Sequence, residues 1–184
     1  MKKRFLMMML AGVLAFSMIG CGGNDAETEE PSTGDEIVDV DGEEEMGGEE
    51  GGMVVDKPFA EMSLEEMIWA SYAGMELPMT GEMEIDQTDA DAVAFYLGTN
   101  DVTFKRGVVS EAMISSIAHS VVVLEMEDAA AAEAAAATLK ETAPVGKWVC
   151  VVPEQVGTAH RGNIVMMAMS NSADAILANF NALQ

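Results

Sequence analysis

Ser120-Val121-Val122-Val123-Leu124, followed closely by Asp128 and the alanine-rich run Ala129 to Thr142, is the stretch on which the fold turns. Successive side chains of a strand point to opposite faces, so four consecutive large apolar residues fill both. A strand apolar on both faces belongs in the middle of a sheet. Asp128 supplies an N-cap carboxylate for the helix that follows, and Pro144 and Gly146 end it. Alanine favours helix strongly but offers a thin packing face, so this helix must lie close to its sheet.

Working outward, Val102 to Ser110, broken by Gly107, forms the preceding strand, joined by a turn around Glu111–Ser116 to the strand Ile117 to Met126. Downstream, Lys147 to Val152 is expected as a third strand and Asn163 to Met169 as a fourth. The intervening loop holds Pro153, Gly157, His160 and Gly162. Asn171 or Ser172 caps a final helix with Ala173, Ile176, Leu177, Phe180 and Leu183 on one stripe. The order is strand-strand-helix, twice. It predicts an α+β fold, a four-stranded mostly antiparallel sheet with two helices on one face. Ser120–Glu141 and Asn163–Gln184 overlay without gaps with five identities in 22 alanine-rich positions, a weak sign of duplication.

One or two helices precede this unit. Ser63 and Glu66 have capping-box spacing, and Met62 can pack on Met67 as a staple. Leu64, Met67, Ile68, Ser71 and Met75 then share a face, with Gly74 near the end and Pro78 as the stop. A shorter helix spans Asp89 to Leu97, capped by Thr88 and ended by Gly98.

The N-terminus has another character. Lys2-Lys3-Arg4, an apolar run from Phe5 to Ile19, and Gly20 before Cys21 make a lipoprotein signal, in which Cys21 becomes the lipidated N-terminus. The apolar run is shorter than the roughly 20 residues a membrane-spanning helix needs. Residues 1–20 are therefore expected as signal peptide. Residues 21–56 follow as lipid-anchored cysteine and acidic linker, and residues 57–184 as an extracytoplasmic domain. Between Gly22 and Asp56 stand 14 Asp or Glu, 8 Gly and no Lys or Arg. Such a segment cannot bury enough apolar surface to offset its ordering entropy, and it is expected to be disordered. It lacks the spaced ligands of a calcium loop. Its Ile37-Val38 and Met53-Val54-Val55 patches offer only weak docking.

From Lys57 to Gln184 the chain carries 6 Lys or Arg against 18 Asp or Glu, a net of −12. Phosphate recognition needs a basic stripe, so nucleic acid and a bare anionic lipid surface are poor partners. With Cys21 acylated, Cys150 has no partner for a disulfide, and its apolar neighbours favour a buried small hydrophobe.

Several short stretches share a phrasing. They are Ala70-Ser71-Tyr72-Ala73-Gly74, Ala94-Phe95-Tyr96-Leu97-Gly98, Val108-Val109-Ser110-Glu111-Ala112-Met113 and Ile117-Ala118-His119-Ser120-Val121. Pro153-Glu154-Gln155, Gly162-Asn163-Ile164-Val165 and the Ala173–Ile176 helix start complete the set. In this order they resemble an uncharacterised family of lipoproteins from clostridial-type Gram-positive bacteria, a domain of unknown function. The likeness runs from Ser63 to the end and includes the lipid-anchor arrangement. It implies a small α+β surface domain, with no known activity, substrate or cofactor. Where the family has a tyrosine after the Gly-Asn pair this chain has Ile164, so no aromatic role is carried over.

Chemistry has few candidates. His119 and His160 stand 41 residues apart with no HxxxH, HExxH or CxxC spacing. Together with Glu111 or Glu154 they could bind a metal or move protons only if the fold brought them together. Ser115, Ser116 and Asp101 lie near His119 in sequence, but a nucleophile elbow is missing. Met75, Met79 and Met83 are spaced four apart, as Cu(I) thioether ligands can be, yet Pro78 and Gly81 break any aligning helix. Those methionines, with Met166, Met167 and Met169, are better read as core filling. The expectation is a non-catalytic binding module on the outer membrane face, without cofactor, meeting an envelope protein, wall component or small ligand. The alternative is a small envelope enzyme or metal-binding protein using His119 and His160.

Overall fold

The computed structural model describes residues 56–184. The signal segment, Cys21, the acidic tract and its two apolar patches lie outside the described residues. The first element among the described residues is a 3₁₀ turn, Phe59–Glu61, followed by α1 Leu64–Ser71, β1 Thr80–Glu84, α2 Ala90–Leu97, β2 Arg106–Ala112 and β3 Ser120–Glu125. Then come α3 Ala129–Thr142, β4 Gln155–Arg161, β5 Ile164–Ser170 and α4 Ala173–Ala182. All strand pairs are antiparallel, in the order β1-β2-β3-β5-β4. Among the described residues no helix is long and apolar enough to cross a membrane.

β3 holds the centre, as its sequence requires. The α+β class and the strand-strand-helix order, β2-β3-α3 then β4-β5-α4, agree with expectation, but three details do not. The sheet has five strands rather than four, because Thr80–Glu84 pairs with β2 as an edge. The stretch Lys147–Val152 is no strand; it crosses the end of the sheet as a loop, and β4 begins at Gln155. Helices cover both faces rather than one. Val109, Val122, Leu124, Val165 and Met167 pack with α2 and α3, whereas Val108, Val121, Val123, Met166 and Ala168 pack with α1 and α4.

Helix cover on both faces follows from the alternation itself. β3 and β5 are buried at nearly every position, and an open face would forfeit about 1.5–3 kcal/mol for each large apolar side chain left exposed. It also disposes of a simple duplication, since α3 and α4 lie on opposite faces while Val122 and Val165 share one.

The helix starts are local chemistry. Ser63 and Glu66 close a capping box on α1. Asp128 accepts from the Ala131 amide to cap α3. On α2 the cap is Asp89, not Thr88: its carboxylate accepts from the amides of Asp91 and Ala92. Thr88 instead closes a turn on Asp86, to which both its amide and its hydroxyl donate. Gly98, with φ of +72°, ends α2 in the left-handed conformation.

Candidate functional site

The two ends of the sheet differ in character. At the end where the described chain enters, the Phe59 amide donates to the Gln184 carbonyl. The Arg161 guanidinium lies 4.1 Å from the Phe59 ring centre and donates to the carbonyls of Phe180 and Leu183. β5 runs from there to Ser170, about 20 Å at the usual rise per residue. The far end, formed by the starts of β1, β3 and β4 and the ends of β2 and β5, carries two buried polar clusters, one on each face.

On the α1 face, His119 is 1% exposed and bonded at both ring nitrogens. Nε2 lies 2.9 Å from the Tyr72 hydroxyl and Nδ1 3.0 Å from the Ser170 hydroxyl. A neutral imidazole has one donor and one acceptor, so one hydroxyl donates to the ring and the other accepts from it. The Ser172 amide also donates to the Ser170 oxygen. Burial pushes the imidazole down to about 4, keeping it uncharged at neutral pH. Burial also pushes the Tyr72 phenol well above its usual range, with Ser110 beside it working the other way. The Ser110 hydroxyl donates to the Glu82 carboxylate at 3.0 Å. His119 lines an open groove of about 360 Å³ with Leu77, Pro78, Ile117, Val152 and Ser170.

On the α2 face, the Lys147 side chain is only 3% exposed. Its ammonium donates to the Glu111 carboxylate and, at 3.0 Å, to the Ser120 hydroxyl. The rings of Phe95, Tyr96 and Trp148 surround it at 5.3, 5.2 and 4.9 Å. Burial pushes the amine's pKa down, and Glu111 pushes it back up. The ammonium pins the loop after α3 to β2 and β3, with aromatic faces and a carboxylate replacing water.

The sequence candidates therefore separate. Glu111 belongs to Lys147 on one face, and His119 to Tyr72 and Ser170 on the other. His160 is exposed on β4, opposite Val165, five positions along β5 from Ser170. Glu154 is exposed and accepts from Asn171. Ser115 and Ser116 are exposed in the β2–β3 turn, and Asp101 is exposed in the connection before β2. Among the described residues no group of three or more His, Cys, Asp and Glu could hold a metal ion. Met166, Met167 and Met169 fill both core layers, but Met79 and Met83 do not fill the core as expected: both are exposed, at the approach to and on the edge strand β1. Cys150 departs from expectation: it is exposed, with φ of +65°, because its apolar neighbours belong to a loop and not to a buried strand.

Around both clusters lies an apolar rim. Met79 and Met113 are joined by a backbone bond, Ile114 and Ile117 form the β2–β3 turn, and Val145, Val149 and Val152 flank Lys147. Phe95 closes the set beside the ammonium, and exposures reach 72% for Met79 and 73% for Val149. Of the exposed large apolar side chains among the described residues, Met83 alone sits away from this end, on β1. Sequence reasoning did not find Tyr72, Ser170 or Lys147, because tertiary packing and not sequence spacing brings them to the site: Tyr72 comes with α1, Ser170 with β5 and Lys147 with the loop after α3. Comparison with protein-family models, with curated proteins and with solved structures finds no match to this chain.

Proposed function

We propose that this is a lipid-anchored surface lipoprotein, held on the outer membrane face through Cys21, whose folded domain is a non-catalytic binding module. The observation that carries the reading is the gathering of exposed apolar side chains at the end of the sheet opposite the point where the chain enters. Monomeric domains rarely leave a concentrated apolar patch without a partner. The internal use of the reactive groups supports it. His119 is neutral and bonded at both nitrogens, and Glu111 and Lys147 neutralise each other. The resemblance to clostridial-type lipoproteins of unknown activity points the same way. The alternative, an envelope enzyme or metal-binding protein using His119 and His160, is less well supported, because a shared site needs side chains that meet.

The test is crosslinking in intact cells, comparing the full lipoprotein with a version ending at Asp56. A partner captured only when the domain is present supports the module. Identical capture by both forms sinks it. Cys21→Ser should release the protein from the membrane fraction.

A further inference from the structure

We infer that the apolar rim docks a protein surface with an apolar centre and a basic border. This rests on the binding-module reading and specifies its partner. The rim spans four separate segments: the approach to β1, α2 at Phe95, the β2–β3 turn and the loop between α3 and β4. That spread suits a protein surface better than a single small ligand.

The charge around it sets the border. Of the six basic residues from Lys57 onward, Lys57, Lys105, Arg106 and Arg161 lie at the opposite end. Lys147 is buried against Glu111, and Lys140 is exposed on the last turn of α3. Exposed Glu76 lines the groove beside Ile117 and Val152, and exposed Glu154 is bonded to Asn171 in the same wall. An apolar surface edged by carboxylates is complementary to one edged by Lys or Arg, which raises both association rate and selectivity. The same charge opposes a second copy of this chain and an anionic lipid surface.

The experiment titrates the full chain with three probes. They are an amphipathic helical peptide of Leu and Lys, its Leu and Glu counterpart, and phosphatidylcholine vesicles. Each is run against the wild type, the rim variant Ile114→Ser/Val149→Ser and the border variant Glu76→Gln/Glu154→Gln. The rim variant leaves every charge in place, so any attraction of the basic peptide to the acidic tract cancels in the comparison.

The Lys peptide should lose about tenfold in affinity on the rim variant, roughly what losing one or two modest interface anchors costs. It should lose about threefold on the border variant, and the Glu peptide should bind the wild type at least about tenfold more weakly. Four results overturn the inference: no binding of the Lys peptide, equal binding by rim variant and wild type, vesicle binding that requires the rim, and self-association on sedimentation abolished by the rim variant. None of these depends on capture in cells, so the binding-module reading stands or falls separately.

Discussion

The Nε2 of His119 and the hydroxyl of Tyr72 meet at 2.9 Å, joining the C-cap of α1 to the residue just before β3. With Nδ1 on Ser170, one imidazole links α1, β3 and the end of β5. A ring so enclosed favours its neutral form in the folded protein. Its folded pKa of about 4 lies below the ordinary 6.5, so between those values the unfolded chain binds a proton that the folded chain does not. This contribution is complete above pH 6.5 and is lost as pH falls towards 4, amounting to about 3 kcal/mol. Urea unfolding at about pH 7, 5.5 and 4 should show the decline. His119→Gln, which can still bond both hydroxyls but does not titrate, should flatten much of that slope. An unchanged slope would remove His119 from the account.

Lys147 and Glu111 should behave as a coupled pair. Lys147→Met leaves a largely buried carboxylate without its counter-charge, costing about 3 kcal/mol, the lower part of the range for such losses because Glu111 keeps some contact with water. Adding Glu111→Gln should recover part of the loss, with an interaction energy of about 1–3 kcal/mol in a double-mutant cycle. Strict additivity would mean that the pair does no joint work.

Gly98 and Gly74 share a left-handed backbone, with φ of +72° and +74°, but not an environment. A methyl at Gly98 would collide with the Thr142 carbonyl at the end of α3, whereas one at Gly74 meets nothing within 4 Å. Gly74→Ala should cost about 1 kcal/mol from backbone strain. Gly98→Ala should cost more than about 3 kcal/mol, because a backbone clash is added. Thermal melts of the two variants separate conformation from contact.

Cys150 holds φ of +65° in an exposed loop. Cys150→Gly should raise stability by about 0.5–1 kcal/mol, the relieved strain exceeding the added chain entropy. The wild-type thiol should react with a maleimide in the native protein without prior unfolding. Protection of the native thiol would place it inside the fold.

Where side chain and neighbouring backbone decide the outcome, the sequence was legible. The capping box of α1, the Asp128 cap, the left-handed Gly98 and the doubly apolar β3 are all of this kind. β4 was not legible, since Gln155-Val156-Gly157-Thr158-Ala159-His160-Arg161 has little strand propensity of its own. It forms because helices grip it: an added Cβ on Gly157 would stand 2.6 Å from the Leu177 side chain, and the Thr158 hydroxyl donates to the Ala136 carbonyl of α3. Trp148-Val149-Cys150-Val151-Val152 has the opposite profile, strong propensity without a strand to pair with. The site followed the same division. His119 stood out as a residue type, but its partners Tyr72 and Ser170 lie 47 and 51 residues away. The register of β3 against β5 brings Ser170 within reach, and the packing of α1 on that face of the sheet brings Tyr72.

The clasp of Phe59 on Arg161 and Gln184 has a mechanical meaning, because it ties the start of the described chain to β4 and to the last residue. A pull at Asp56 loads that clasp first and then α1, which joins the sheet through side chains and not through a strand ladder. Under drag the domain would shed its leading helix from the Phe59 end, one contact at a time, while all five strands stay paired. The peeling would reach the Tyr72–His119 link last. α1 would thus yield before the sheet, and a load applied at Asp56 would spend itself on side-chain contacts before it reached the rim.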